Sequence, residues 1–219
     1  MKKALVIFAK QPVPGRVKTR LSPPLSPSDA TRLYLCMLSD TIEAVASLNH
    51  VDRFLFYEPS DGAEDFFRDA WPDLTVVPQQ GGGLGERLEN AFAGLFSAGF
   101  DAVAAIGSDS PDFPPAYVED AFRFLEEGGA DVVFGPVEDG GYCLVAMGRL
   151  HPELFRDIPW STGKVLDKSE AAAVSLGLGT ARIPSWHDVD TVMDLERLLG
   201  EAAPDAAPRT RRYFRQLVS

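Results

Sequence analysis

The chain has little of what usually announces a function. Its 219 residues include two cysteines, Cys36 and Cys143, and three histidines. Neither cysteine sits in CxxC spacing, so nothing indicates a zinc ribbon or a disulfide framework, and both read as buried thiols in a reducing compartment. HExxH, a Ser-His-Asp arrangement and the Walker pattern GxxxxGK[ST] are all missing, which removes the commonest zinc-protease, hydrolase and P-loop readings. No apolar run approaches the roughly 18 to 20 residues of a membrane span. Lys2 and Lys3 followed by ALVIFA imitate a signal peptide, yet Lys10 interrupts the run and no small-residue cleavage site follows. The expectation is a soluble, cytoplasmic protein.

The most telling absence is of acidic side chains at the start. Asp29 is the first, so the opening 28 positions hold Lys2, Lys3, Lys10, Arg16, Lys18 and Arg20 and no acid, in a chain of net charge −11. An acidic protein offers no extended basic surface for nucleic acid or an anionic membrane. Cations gathered in AKQPVPGRVKTRLSPPLSP, straight after an apolar run, predict instead a pocket for a small anion. With 45% hydrophobic residues the chain can bury a substantial core, and 219 residues suit one large domain.

Short β-rich runs at 3–9, 53–58, 74–79, 102–107 and 131–137 alternate with helical periodicity at 28–48, 63–70, 84–97 and 115–127. Strands such as VAAI are apolar on both faces, as a parallel sheet between helical layers requires. The expected fold is α/β, a three-layer α/β/α sandwich around a mostly parallel sheet. After residue 137 the alternation loosens: a strand at 140–147, an irregular stretch, a helix at 162–176, a strand at 180–184 and a helix at 191–199. The domain reading is one catalytic domain over 1–200, its nucleotide-binding half about 1–137 and its acceptor-side half about 138–200. Residues 201–219 read as a linker and a basic tail, either docked or serving a second anion contact.

Chemistry concentrates where the strands end. Pro12, Pro14 and Gly15 force a turn after the first strand, and Lys10, Arg16, Lys18 and Arg20 can bond phosphate oxygens there; an unliganded basic loop is the alternative. In GGGLGERL, Gly83 and Gly85 allow close backbone approach ahead of Arg87, though a plain flexible turn uses the same residues. Asp109 in GSDSP leaves the fourth strand at the same sheet edge. A carboxylate facing a cationic pocket suggests Mg²⁺ or Mn²⁺, with Asp-Ser-Pro as a mere turn the rival reading. Asp139 in GPVEDGGY can contact an acceptor hydroxyl or act as a base, with Gly140, Gly141 and Tyr142 beside it; DGG is equally a hairpin signal. Trp160 offers a stacking wall, and Ser161 or Thr162 a hydroxyl or a helix cap. Asp190 can complete the metal site with Asp109 or cap the helix that begins at Thr191, while His187 reads as a packing histidine.

Taken together, FAKQPVPGRVKTRL, GGGLGERLENAF, GSDSP, GPVEDGGYCLV, IPWST and DVDTVMDL resemble a bacterial family of predicted GT-A-type nucleotide-diphospho-sugar transferases, glycosyltransferases linked with arsenosugar biosynthesis. The resemblance runs from residue 3 to about 199 and implies the GT-A fold. The first, third and fourth blocks are more distantly similar to molybdopterin guanylyltransferase and phospholactate guanylyltransferase, which implies a nucleoside triphosphate with Mg²⁺ on an aspartate equivalent to Asp109. This chain departs from those patterns in having a single glycine, Gly15, in the first loop and Gly107 in place of the first carboxylate of a DxD.

Three readings follow. The first is a metal-dependent transferase passing a glycosyl group from a nucleotide diphosphate-sugar to a small acceptor, with Lys18, Arg20 and Asp139 as its catalytic residues. The second is a nucleotidyltransferase joining an NTP to a phosphorylated metabolite with release of pyrophosphate, favoured by the charge of the first loop. The third is a nucleotide-binding module without turnover. All three take a nucleotide and none takes a nucleic acid or a membrane; nothing in the sequence specifies an oligomeric state.

Overall fold

A computed structural model describes residues 1–203 and 205–218. Seven strands form one sheet in the order β3-β2-β1-β4-β6-β5-β7. β1 (Lys3–Ala9), β2 (Val51–Tyr57), β3 (Thr75–Pro78) and β4 (Ala102–Ile106) are parallel neighbours, with Lys3 level with both Val51 and Ala102. β6 (Tyr142–Met147) runs antiparallel between β4 and β5 (Val132–Pro136), and β7 (Thr180–Arg182) is parallel to β5. The fold is thus the α/β sandwich with one reversed strand.

Helices α1 (Pro27–Val45), α2 (Ala63–Ala70), α3 (Leu84–Ser97), α4 (Pro115–Glu126) and α5 (Val165–Ser175) flank the sheet, followed by α6 (Val192–Glu201) and α7 (Pro208–Val218). The alternation of β1 shows why two helical layers are needed. Leu5 and Ile7 pack with Leu38, Leu55, Phe67 and Phe122, whereas Ala4 and Val6 face Leu88, Phe92 and Leu95. Among the described residues no helix is long and apolar enough to cross a membrane.

A third cluster joins α1 to the end of the chain through Leu33, Met37, Leu195, Leu198 and Phe214. Residues 208–218, read from composition as the end of a linker and a basic tail, form α7 docked on α1. Buried Asp40 accepts from the backbone N–H groups of Arg209 and Thr210 at 3.1 and 2.8 Å and from the Thr210 hydroxyl at 2.7 Å, capping α7 from a distance. Arg209 pairs with Glu43, and Arg211 donates to the carbonyl of Ala203 at 2.6 Å. Two of the tail's cations, Arg209 and Arg211, therefore serve the fold.

Candidate active site

A cavity of ≈ 600 Å³ opens along the C-terminal ends of the parallel strands, the edge at which open α/β sheets bind ligands. The loop leaving β1 forms its first wall. Arg16 N–H donates to Val13 O at 3.0 Å, and Gly15 (φ 78°) supplies the left-handed residue that a type II turn needs after Pro14. Lys10 N–H donates to Tyr34 Oη at 2.9 Å, and that hydroxyl pairs with Ser108 Oγ, also at 2.9 Å, tying the loop to α1 and to the end of β4. Burial pushes the Tyr34 phenol up to about 12, so it stays neutral.

The four loop cations separate into two kinds. The Arg16 guanidinium is exposed and has no side-chain partner among the described residues. Lys10 lies 4.0 Å from Glu58, and Arg20, 76% exposed, sits 3.4 Å from Asp190. Lys18 differs: its side chain is 3% exposed, and its ammonium contacts Asp109 Oδ1 at 2.5 Å, Asp190 Oδ1 at 2.9 Å and Val189 O at 2.7 Å. Three donors meet three acceptors. Burial alone would lower the Lys18 pKa, but the two carboxylates outweigh it and keep the group charged.

Asp190 reaches this point because the segment after β7 docks on the loop after β4: Val189 N–H donates to Asp109 O at 2.8 Å. Thr191, not Asp190, is the N-cap of α6. Its hydroxyl and Asp194 form a reciprocal capping box, which leaves the Asp190 carboxylate to the cavity. Asp188, which the sequence reading passed over, lines the same cavity, and its Oδ1 accepts from Ser110 Oγ at 2.7 Å. Burial pushes Asp188 up to about 6; the bond from Ser110 opposes that shift and the charge of Asp109 adds to it. Its signal was the spacing: Asp188 and Asp190, two residues apart in DVD, both line the cavity while Val189 between them is buried.

Arg87 projects from α3 into the opposite wall, donating to Glu58 at 2.9 Å and to Gln79 Oε1 at 3.3 Å, while Gln79 Nε2 is anchored on the carbonyl of Phe56 at 2.7 Å. Gly83 is the N-cap of α3. Gly85 has a packing role: a Cβ there would lie 2.3 Å from Phe155 O and 2.6 Å from Trp160 Nε1.

Of the residues expected on an acceptor side, Tyr142 and Ser161 line the cavity, whereas Asp139, Gly140, Gly141, Trp160 and Thr162 do not. Asp139 Oδ1 accepts from Gly141 N–H at 2.9 Å and so closes its own turn. Gly140 (φ 86°) abuts Gly163 so closely that a Cβ would come within 2.2 Å of its carbonyl oxygen. Trp160 packs edge-on against Tyr142 at 6.1 Å. Thr162 donates to Pro159 O at 2.6 Å rather than capping α5, which begins three residues later than its periodicity predicts.

Among the described residues no group of three His, Cys, Asp or Glu side chains is arranged to hold a metal. Two carboxylates with a common focus nevertheless suit Mg²⁺ or Mn²⁺ when substrate phosphates complete the shell, so the donor set of Asp109 and Asp190 fits such an ion. The focus itself is held by Lys18.

Residues 41–162 match the family model DUF2064, described as an uncharacterized protein conserved in bacteria. A solved structure of a candidate nucleotide-diphospho-sugar transferase from Desulfovibrio desulfuricans G20 is 32% identical, with a TM-score of 0.91 over 98% of this chain and 94% of that one. The 2-phospho-L-lactate guanylyltransferase of Methanothermobacter thermautotrophicus is 36% identical over 57% of this chain, which spans about half (53%) of that relative's length. The phosphoenolpyruvate guanylyltransferase of Nocardia farcinica is 26% identical over 83% of this chain and 79% of its own.

Proposed function

We propose that this chain, which belongs to the DUF2064 family, is a nucleotidyltransferase that joins a nucleoside monophosphate unit to a small phosphorylated acid. A phosphate oxygen of the acceptor attacks the α-phosphorus of the triphosphate, a new P–O–P bond forms, the α–β bond breaks, and pyrophosphate leaves with the electron pair. The carrying observation is the juxtaposition of Asp109 and Asp190, converging on one point, with the cavity cations Lys10, Arg16 and Arg20 at the sheet edge. Those three cations would neutralise the charge developing on pyrophosphate, where oriented electrostatics lowers a phosphoryl-transfer barrier most. Asp109 and Asp190 would hold Mg²⁺ or Mn²⁺, which when bound supplies charge neutralisation at the phosphates.

The acceptor side supports nucleotidyl over glycosyl transfer. A sugar-acceptor hydroxyl calls for a base; Asp139 is committed to its turn outside the cavity lining, which leaves Asp188, bonded by Ser110 Oγ, as the cavity carboxylate for that role. A phosphate monoester needs none, because its second ionisation lies near pH 6. The names of the two guanylyltransferase relatives point to GTP as donor and to 2-phospho-L-lactate or phosphoenolpyruvate as the acceptor class. Glycosyl transfer is the second reading, favoured by the structure that is 32% identical over almost the whole chain.

The test is pyrophosphate release with the four NTPs and a panel of phosphorylated acids in Mg²⁺, run beside nucleoside diphosphate release from nucleotide-sugars. Pyrophosphate formation dependent on both NTP and acceptor is expected. Diphosphate release from a nucleotide-sugar alone would replace this reading with the second.

A further inference from the structure

Resting on the metal-dependent reading above, we propose that Lys18 is the resident cation of the Asp109 and Asp190 pair, and that a divalent ion enters this site together with nucleotide phosphates rather than before them. The Lys18 ammonium spends its three N–H donors on Asp109 Oδ1, Asp190 Oδ1 and Val189 O. A divalent cation seated at that same focus would compete with Lys18 for those two Oδ1 atoms. Two cations repel at one focus, although the carboxylates, 47% and 41% exposed, leave their Oδ2 atoms outside the contact with Lys18. Binding of the metal at this focus is therefore an exchange with Lys18.

What surrounds Lys18 decides when that exchange is favourable. The loop cations nearest in sequence, Arg16 and Arg20, offer a displaced ammonium like charge, and the remaining cavity acid, Asp188, already accepts from Ser110 Oγ at 2.7 Å. A free metal ion brings no acceptor to replace the two carboxylates that Lys18 gives up. A metal arriving with a triphosphate does, since its phosphate oxygens can accept from Lys18, Arg16 and Arg20 at once. Lys18 also has left-handed backbone values, φ 47° and ψ 42°, just before the short 3-10 turn Thr19–Leu21. Lys18 thus keeps the metal carboxylates paired in the free protein and couples metal entry to nucleotide entry.

The experiment measures Mn²⁺ binding by electron paramagnetic resonance. In nucleotide-free protein, Lys18→Met should bind Mn²⁺ roughly tenfold or more tightly than wild type, whereas Arg20→Met, which removes the same charge beside Asp190 without vacating the focus, should gain much less. Equal gains in the two variants would reduce the effect to net charge and overturn the proposal. With wild type, guanosine 5′-(α,β-methylene)triphosphate should tighten Mn²⁺ binding; equal affinity with and without the analogue would contradict the coupling. Wild-type protein also serves if Lys18→Met fails to fold. As Mn²⁺ fills the nucleotide-free site, Lys18 should become reactive toward an amine reagent by mass spectrometry, with exposed Lys164 and Lys168 unchanged. Mn²⁺ bound while Lys18 stays protected overturns the exchange. The comparison of the two variants contains no nucleotide, so it reads Lys18 whether or not the chain releases pyrophosphate.

Discussion

Single side chains at the mouth of the cavity make claims that turnover can check. Asp109→Asn keeps the shape of the side chain and removes one of the two converging charges, so pyrophosphate release should fall by about 10²-fold or more, read from initial rates in saturating Mg²⁺. Asp139→Asn keeps an oxygen for Gly141 N–H. Its rate should stay within about threefold of wild type, because losing a general base would cost about 10²-fold to 10⁴-fold; a loss of that size would restore Asp139 to the chemistry. At this scale the sequence was only partly informative. The cluster of cations and Asp109 were visible as charge and strand ends. That Lys18 alone among the loop cations is buried was not, since its partners lie 91 and 172 residues away and burial is a tertiary property.

Elements were most legible where local rules were strong. α2 and α3 match their predicted bounds, because glycines precede both helices and apolar periodicity fills them. The end of the chain was not, because α7 is capped by Asp40 from α1, a partner that no local pattern reveals. An 11-residue helix is marginal in isolation, and buried Phe214 contributes roughly 2 kcal/mol toward holding it. Asp40→Ala should therefore cost about 2 to 4 kcal/mol in urea unfolding and expose the amides of α7 to hydrogen exchange first. Loss of under about 0.5 kcal/mol would refute the distant cap. In α6, burial opposes charge on Asp194, but bonds from the Thr191 hydroxyl and from the N–H groups of Thr191 and Asp190 outweigh it and hold the carboxyl below its usual value. A carboxyl depressed by folding stabilises above its unfolded pKa, and that contribution fades as pH falls through the folded value. Thr191→Ala should thus cost about 0.5 to 2 kcal/mol at pH 7, and less below about pH 4.

Over the whole molecule, the sequence pattern led to the α/β sandwich because apolar strands alternating with amphipathic helices admit few other arrangements. The hairpin reading of DGG agrees with β6 running back against β5, but the sequence did not reveal that β6 lies between β4 and β5, since its pairing with β4 is a long-range contact. That reversed strand brings Tyr142 into the cavity that the basic loop also lines, so one continuous sheet supports both. The reaction proposed for this architecture, transfer of a nucleotidyl group to an already ionised phosphate, is most directly tested by incubating the protein with GTP, Mg²⁺ and 2-phospho-L-lactate or phosphoenolpyruvate and measuring pyrophosphate. Stoichiometric pyrophosphate with a new guanylylated acid, abolished by Asp109→Asn, is the predicted result. No pyrophosphate across the NTP and acceptor panels, with nucleoside diphosphate released from a nucleotide-sugar instead, would contradict it.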